Sequence, residues 1–399
     1  MADRRRCHHR LGVCRMSRAL SMQIALFAGV FFPLHVLPPI LSDAGFMPGT
    51  GDGLRQIVGL AYHLGFMAGA AAALSFGGTA LVVRLEGARR WLALALIAAV
   101  AATLIHDPVV QILGRFAYGA GASLLLLLFY RDFARSRRYD RLPKVFGYAA
   151  ILLETGGLVV GLIVTQRGSS AAIMVAIGVT VLALLAGGCL ASAAGPIAGT
   201  TFDTDGGTGG RARTGASLSG PWVYMVTAML AYAGFFLMLL TLGSLRGLDD
   251  GALTSGLAIF STAFAFSAGN LVRFERWAPL ASPIKLVSFG VTLSLIGSLV
   301  SWSSIHAQAS TGIVVGAMLV AFGNGITVSR CFQRASIASP DGYSGPLLTM
   351  AGVMALTVSL SIVGQLLGGS APMVQFLAFA VALTALLFGG HRADCRSHL

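Results

Sequence analysis

Residues 81–90 read LVVRLEGARR, and residues 270–276 read NLVRFER. Each stretch ends a long apolar run with the same short phrase, in which Val and Arg are followed by an apolar residue and Glu. The phrase covers residues 83–86 in the first half of the chain and residues 272–275 in the second. A charged turn that occurs twice in so apolar a chain indicates an internal duplication.

The composition places this 399-residue chain in a lipid bilayer. Apolar residues make up 56% of it and charged residues only 11%, with a mean hydropathy of +0.79, whereas soluble domains carry about 25% charged residues. Apolar stretches of about 20 residues, the length of a membrane-spanning helix, recur throughout. We predict twelve spans, at residues 20–41, 57–80, 91–106, 108–130, 145–166, 170–193, 221–244, 252–272, 283–304, 311–332, 346–368 and 371–390.

The basic residues predict the topology. The net charge is +13, and 24 of the 28 Lys and Arg residues fall in the two tails, in alternate loops or around the end of span 10. This is the pattern of the positive-inside rule, and it predicts that both termini are cytoplasmic and that the protein lies in the inner membrane. A basic nucleic-acid-binding patch is not indicated, because the charge is spread over these loops and tails.

A linker divides the predicted spans into two sets of six. Residues 194–220 are rich in Gly, Ser, Thr and Ala without an apolar period, which is typical of a flexible linker. The predicted parts are a basic tail (1–19), an N-terminal bundle (20–193), the linker, a C-terminal bundle (221–390) and a tail (391–399). A second sequence similarity relates the two halves, since GAG at 119–121 in span 4 matches GNG at 323–325 in span 10. Two parallel six-helix halves predict a rocking secondary transporter with its substrate site between them.

The sequence resembles the major facilitator superfamily. The turn at 81–90 is similar to the charged loop after that superfamily's second helix, and residues 115–121 (RFAYGAG) are similar to its Arg-x-x-x-Gly-x-Gly motif. The order of LPP at 37–39, LGF at 64–66 and RD at 131–132 resembles the twelve-helix drug:proton antiporters of the bicyclomycin-resistance type. In the place of the span 1 carboxylate common in drug antiporters, this chain has Phe31.

In the picture that this resemblance gives, the two charged turns hold one conformational state through ion pairs across the halves. The alternative is that their charges serve topology alone. The candidate gating residues are Arg84, Glu86, Arg89, Arg90, Arg273 and Glu275.

One carboxylate stands apart from the others. Of fifteen Asp and Glu residues, fourteen lie in predicted loops or at span ends, and only Glu154 lies near the centre of a span. A charge at that depth costs roughly 2.5–3.5 kcal/mol on insertion scales, so such residues are functional candidates. We predict that Glu154 couples transport to protons. The alternative is a structural carboxyl group that pairs with a neighbouring helix.

Arg115 is the basic residue deep in a span, and it must be paired or face water. It is a candidate for binding an anionic group of the substrate or for promoting proton release from a nearby acid such as Glu154. The alternative is a structural ion pair or a role in helix packing. His35 and His63 are further proton-coupling candidates, because imidazole titrates near neutrality. The substrate-binding candidates are Arg115, Tyr118, Tyr232, Asn324, Arg330 and Gln365, most of which have a packing role or, for Arg330, snorkelling as the alternative.

Together these features predict a proton-coupled exporter of a small organic compound that works as a monomer by alternating access. Two alternatives remain: a proton-coupled importer of an anionic or zwitterionic solute such as a siderophore, and a receptor or assembly protein that has lost transport. No catalytic, phosphate-binding or metal-ligand motif is present in the sequence. The sequence therefore predicts no enzyme activity and no cofactor, with lipid, protons and a small-molecule substrate as the partners.

Overall fold

The computed structural model of the chain describes residues 20–34, 52–76, 79–105, 107–189, 221–244, 252–272, 282–307, 309–366 and 371–397. These residues form thirteen α-helices. In chain order they are α1 (Leu20–Leu34), α2 (Asp52–Phe76), α3 (Thr79–Gly87), α4 (Arg89–Ala101), α5 (Pro108–Ser136), α6 (Leu142–Arg167), α7 (Ser169–Leu184), α8 (Pro221–Ser244), α9 (Ala252–Leu271), α10 (Pro283–His306), α11 (Ser310–Ala338), α12 (Ser344–Leu366) and α13 (Ala371–Ser397). The predicted basic tail and the 194–220 linker lie outside the described residues.

Each predicted span coincides with one of these helices, and α3 is an additional short helix in the charged turn after the second span. Helices α5, α6, α7, α10, α11 and α12 include segments that are long and apolar enough to cross a membrane. Large apolar side chains point outward from them, as with Leu113, Met174 and Leu182, each more than 60% exposed. This outer surface suits contact with lipid rather than water.

Local sequence signals set several helix ends. The Asp107 side chain accepts hydrogen bonds from the backbone N–H groups of Val109 and Val110 at 2.8 and 3.0 Å, and Pro108 occupies the first helical position of α5. Both features favour helix initiation. Asp341 does the same for α12, because its Oδ1 accepts from the backbone N–H groups of Tyr343 and Ser344.

Two helix crossings show the internal duplication directly. In the N-terminal half, Gly65 of α2 lies against the Phe116 carbonyl of α5, and Gly119 of α5 lies against the Tyr62 carbonyl of α2. In the C-terminal half, Gly269 of α9 lies against the Phe322 carbonyl of α11, and Gly325 of α11 lies against the Phe266 carbonyl of α9. A β-carbon at any of the four glycines would overlap the facing backbone, so these helices can cross closely only with glycine there.

The helix crossings change the alignment of the two halves that the repeated sequence motifs suggest. They make Gly119 equivalent to Gly325, whereas the GAG and GNG match pairs it with Gly323, two residues earlier. The two charged phrases also lie at different distances from the equivalent crossing glycines. Val83 comes 18 residues after Gly65, whereas Val272 comes only 3 residues after Gly269. The duplication therefore rests on the glycine crossings, and the two charged phrases do not occupy equivalent positions.

The two halves meet chiefly along two helix pairs. Helix α6 packs against α9, and α2 packs against α12. Under a two-fold relation between the halves, α2 corresponds to α9 and α6 to α12, so each pair is the image of the other. These contacts confirm the predicted fold class, an all-α membrane protein of two pseudo-symmetric six-helix bundles.

Candidate functional site

A cavity with free space for about one water molecule lies between the two halves. The N-terminal half contributes residues of α1 and α6, and the C-terminal half contributes residues of α8 and α9. The lining residues are Phe27, Phe146, Ala150, Leu153, Glu154, Tyr232, Phe235, Ala263 and Phe266. We call this space the central cavity.

Glu154 is the acidic residue among those that line the central cavity. On α6, Phe146, Ala150 and Leu153 precede it at intervals of eight, four and one residues, which places all four on one face of the helix. The residue is buried, with 8% of its surface exposed. The predicted coupling carboxylate thus lies at the interface of the halves and not against lipid.

Aromatic rings form most of the wall around this carboxylate. The Tyr232 and Phe266 rings lie nearly parallel, with centroids 6.1 Å apart and an interplanar angle of 10°. Phe235 stacks on Phe266 at 5.0 Å. Apart from Glu154 and the Tyr232 hydroxyl, the lining side chains are apolar.

The central cavity is bounded on one side by an aromatic cluster at the predicted cytoplasmic end. Phe27 packs against Phe146 at 4.7 Å, and Phe146 packs against Phe332 of α11 at 5.4 Å. Phe332 also stacks on Tyr130 at 6.1 Å. The cluster joins the two halves where α5 and α11 end and α6 begins, so the halves are closed against each other at that end.

The turn between α11 and α12 reinforces this closure. Gly342, which has a positive φ of 75°, lies so close to α5 that a β-carbon on it would contact Ala134 at 2.7 Å. The same β-carbon would overlap the Tyr139 hydroxyl. This turn of the C-terminal half therefore packs on the end of α5 in the N-terminal half.

Arg115 does not line the central cavity. It lies inside the N-terminal half, in a second small cavity lined by Pro33, Tyr62, Ala99, Val100, Thr103, Arg115 and Tyr118. The two cavities share no lining residue. The sequence leaves a direct pair between Arg115 and Glu154 open, because an extended arginine can close much of their predicted vertical offset of roughly 9 Å. The structure does not show this pair.

Tyr118 has a structural contact that its sequence position did not reveal. Its hydroxyl donates a 2.7 Å hydrogen bond to the carbonyl of Gly29 in α1. Pro33 stands four residues after Gly29 and has no N–H to offer that carbonyl. The Tyr118 hydroxyl thus supplies the bond that proline removes from the helix.

Asn324 and Arg330 make structural contacts within the C-terminal half. The Asn324 amide donates to the Val320 carbonyl at 3.1 Å and to the Ser294 hydroxyl at 3.5 Å. The Arg330 guanidinium donates to the carbonyls of Gly269 and Val272 at 3.3 and 3.0 Å. These carbonyls stand at the end of α9, where a cation also complements the helix dipole.

The charged residues at the predicted cytoplasmic end form ion pairs within one half. Arg89 donates to Asp132 at 2.8 Å, and Glu86 accepts from Arg131 at 3.1 Å and from Arg135. These pairs tie α3 and α4 to α5. The pairs across the halves that the family resemblance implies stay a prediction.

Of the other predicted gating residues, Arg84 and Arg90 are exposed, while Arg273 and Glu275 lie outside the described residues.

Two histidines and Gln365 are the remaining predicted site residues. His63 is half-buried on α2, with its ring edge-on to Tyr62 at 5.9 Å. His35 and the side chain of Gln365 lie outside the described parts of the chain. Of the aromatic residues in the central cavity, Tyr232 is a substrate-binding candidate from the sequence. Sequence reasoning missed the four phenylalanines, because helical spacing does not distinguish a binding wall from ordinary packing.

Comparison with known proteins supports the fold. No protein-family model and no curated protein sequence matches this chain. Among solved structures, it is similar to a bacterial homologue of the iron transporter ferroportin in an outward-facing state with soaked iron, with a TM-score of 0.66 and 13% identity over 93% of this chain and 98% of that one. It is also similar to an auto-inhibited POT family peptide transporter, with a TM-score of 0.59 and 13% identity over 95% and 96% of the two chains.

Both similarities cover nearly the whole of each chain, so the fold is shared from end to end. Within the described residues, no three His, Cys, Asp or Glu side chains come together as a metal site would require.

Proposed function

We propose that this protein is a secondary transporter that moves a small organic compound out of the cytoplasm in exchange for protons, by rocking its two halves about the central cavity. The observation that carries the proposal is Glu154, a carboxylate buried between the halves in a cavity whose other lining residues are aromatic or aliphatic. The shared fold with two solved transporters supports it. The proposal includes an inner-membrane location, cytoplasmic termini and a monomeric state.

The position of Glu154 suits a proton-coupling group. A carboxyl group at the boundary between the halves can carry a proton while the cavity is closed. When the cavity opens to water, the carboxyl group regains solvation and releases its proton. Substrate and proton therefore compete for one site, and this competition couples their opposite movements.

The lining of the central cavity favours a neutral or cationic compound with an apolar body. Five aromatic rings provide contact area and negative ring faces for a cation. The described lining residues include one carboxylate and no Lys, Arg or His. The alternative, import of an anionic or zwitterionic solute, rested in part on Arg115, which lines the other cavity.

Transport by reconstituted protein tests the proposal. Full-length protein in liposomes with a pH gradient is mixed with ethidium, a fluorescent apolar cation, and both ethidium movement and internal pH are followed. We expect ethidium movement that depends on the proton gradient, with loss of this dependence in Glu154→Gln. Asp140→Asn, which changes an exposed carboxylate at the predicted cytoplasmic end, is the matched control and should behave as wild type. Unchanged proton flux in Glu154→Gln would remove Glu154 from the mechanism, and ethidium movement without any gradient dependence would refute the coupling.

A further inference from the structure

The second cavity, inside the N-terminal half, contains an unusual charge. Arg115 lines this cavity with only 4% of its surface exposed. Buried arginines normally bond to a carboxylate or to backbone carbonyls, because an uncompensated charge is very costly in a membrane interior. Arg330, buried to a similar 6%, follows this rule through the carbonyls at the end of α9.

Arg115 departs from the rule. Its Nε and Nη1 atoms are buried and have no hydrogen-bond partner in the described part of the chain. None of the other residues that line the cavity is acidic. Two N–H groups with a full positive charge therefore face a space that supplies no negative charge of its own.

The other polar groups of the cavity wall are already engaged. The hydroxyl groups of Tyr118 and Tyr62 donate to the α1 carbonyls of Gly29 and Val30, at 2.7 and 3.3 Å. The Thr103 hydroxyl donates to the Val100 carbonyl at 2.6 Å. The guanidinium is thus the remaining source of donors for a guest in this cavity.

We propose that this cavity binds a small inorganic monoanion of the size of chloride, held by the Nε–H and Nη1–H groups of Arg115. The space has room for a guest of about the size of one water molecule, which is too little for an organic anion. A water molecule would satisfy the hydrogen bonds but would leave the charge uncompensated. The anion stabilises the N-terminal half and takes no part in substrate binding, because the cavity is separate from the central one.

Thermal unfolding of the full-length protein in detergent tests this site. Wild type is compared in sodium chloride and in sodium gluconate at equal ionic strength, since gluconate is too large for the cavity. We expect an unfolding temperature roughly 2–5 °C higher in chloride, rising with chloride concentration until the site is saturated. Bromide should replace chloride. In Arg115→Gln the chloride effect should vanish, and this variant in gluconate should be at least as stable as wild type in gluconate, because the buried charge is gone.

Arg330→Lys is the control, because its parent residue is equally buried but bonded to carbonyls, and its chloride response should match wild type. If Arg115→Gln does not fold, the broadening of the ³⁵Cl NMR signal by wild-type protein, and its reversal by bromide, supports the site. Equal unfolding temperatures in the two salts, an undiminished chloride effect in Arg115→Gln, or no broadening would each overturn the proposal. Because the readout is stability and not transport, the outcome is independent of the proposed function.

Discussion

The bond between Tyr118 and the Gly29 carbonyl allows a quantitative test of how α1 is held in the N-terminal half. Tyr118→Phe removes one hydroxyl and leaves the Gly29 carbonyl without a donor, because Pro33 has no N–H. An unsatisfied buried carbonyl costs about 1–3 kcal/mol in proteins, and hydrogen bonds between membrane helices average about 0.6 kcal/mol with a maximum near 1.7. With its 2.7 Å length and full burial, we expect this bond to contribute about 1–1.5 kcal/mol.

The proline makes the prediction specific. Pro33→Ala gives residue 33 an N–H that can donate to the Gly29 carbonyl within α1. In that background, Tyr118→Phe should cost less than about half as much as in wild type, because the carbonyl keeps a donor. The free energy of unfolding of wild type, the two single variants and the double variant in mixed detergent micelles gives the coupling energy. An equal cost of Tyr118→Phe in both backgrounds would refute the proposed link between the tyrosine and the proline.

Two other predictions use matched neighbours as controls. Gly119→Ala forces a β-carbon against the Tyr62 carbonyl and within 2.8 Å of the Phe66 nitrogen, so it should destabilise the protein by about 1–3 kcal/mol or more. In the control, Gly178→Ala, the new β-carbon meets nothing within 4 Å, so this variant should be neutral or slightly stabilising. Unfolding measurements on the two variants will show the difference. Arg89→Met breaks the 2.8 Å bond to the partly exposed Asp132 and should cost about 1–3 kcal/mol. The adjacent exposed Arg90→Met should stay within about 0.5 kcal/mol, and similar losses of stability in the two arginine variants would count against a structural ion pair at Arg89.

The helices and the placement of Glu154 away from lipid could be predicted from the sequence because both follow from the cost of polar groups in lipid. A span must be apolar over its length, and a carboxylate in mid-span must have a reason to be there. Both rules can be applied to the linear sequence without knowledge of the fold. Helix boundaries were also accessible where short-range chemistry decides them, as at Asp107 and Pro108.

The sequence was a poor guide where a property depends on how helices are rotated and crossed. Depth along the chain placed Arg115 and Glu154 roughly 9 Å apart, within partial reach of an arginine side chain. It does not say which helix face each residue occupies, and the two line different cavities. The repeated charged phrase misled for the same reason. Equivalent positions in the two halves are those at which the helix backbones contact each other, as at Gly119 and Gly325. Short stretches of similar sequence do not identify them.

The two buried charges differ in the surroundings that the fold gives them, and this difference bears on mechanism. Glu154 lies between α6 and the helices of the other half, at a boundary that rocking would open and close. Its solvation must then change with each conformational state, as a coupling group requires. Arg115 lies within one half, where helices α2 and α5 cross so closely through Gly65 and Gly119 that they must move as one body. Its surroundings would stay constant through the proposed cycle, so the permanent anion that we propose can serve it. A permanent counter-charge at Glu154 would be incompatible with the proposed proton exchange there.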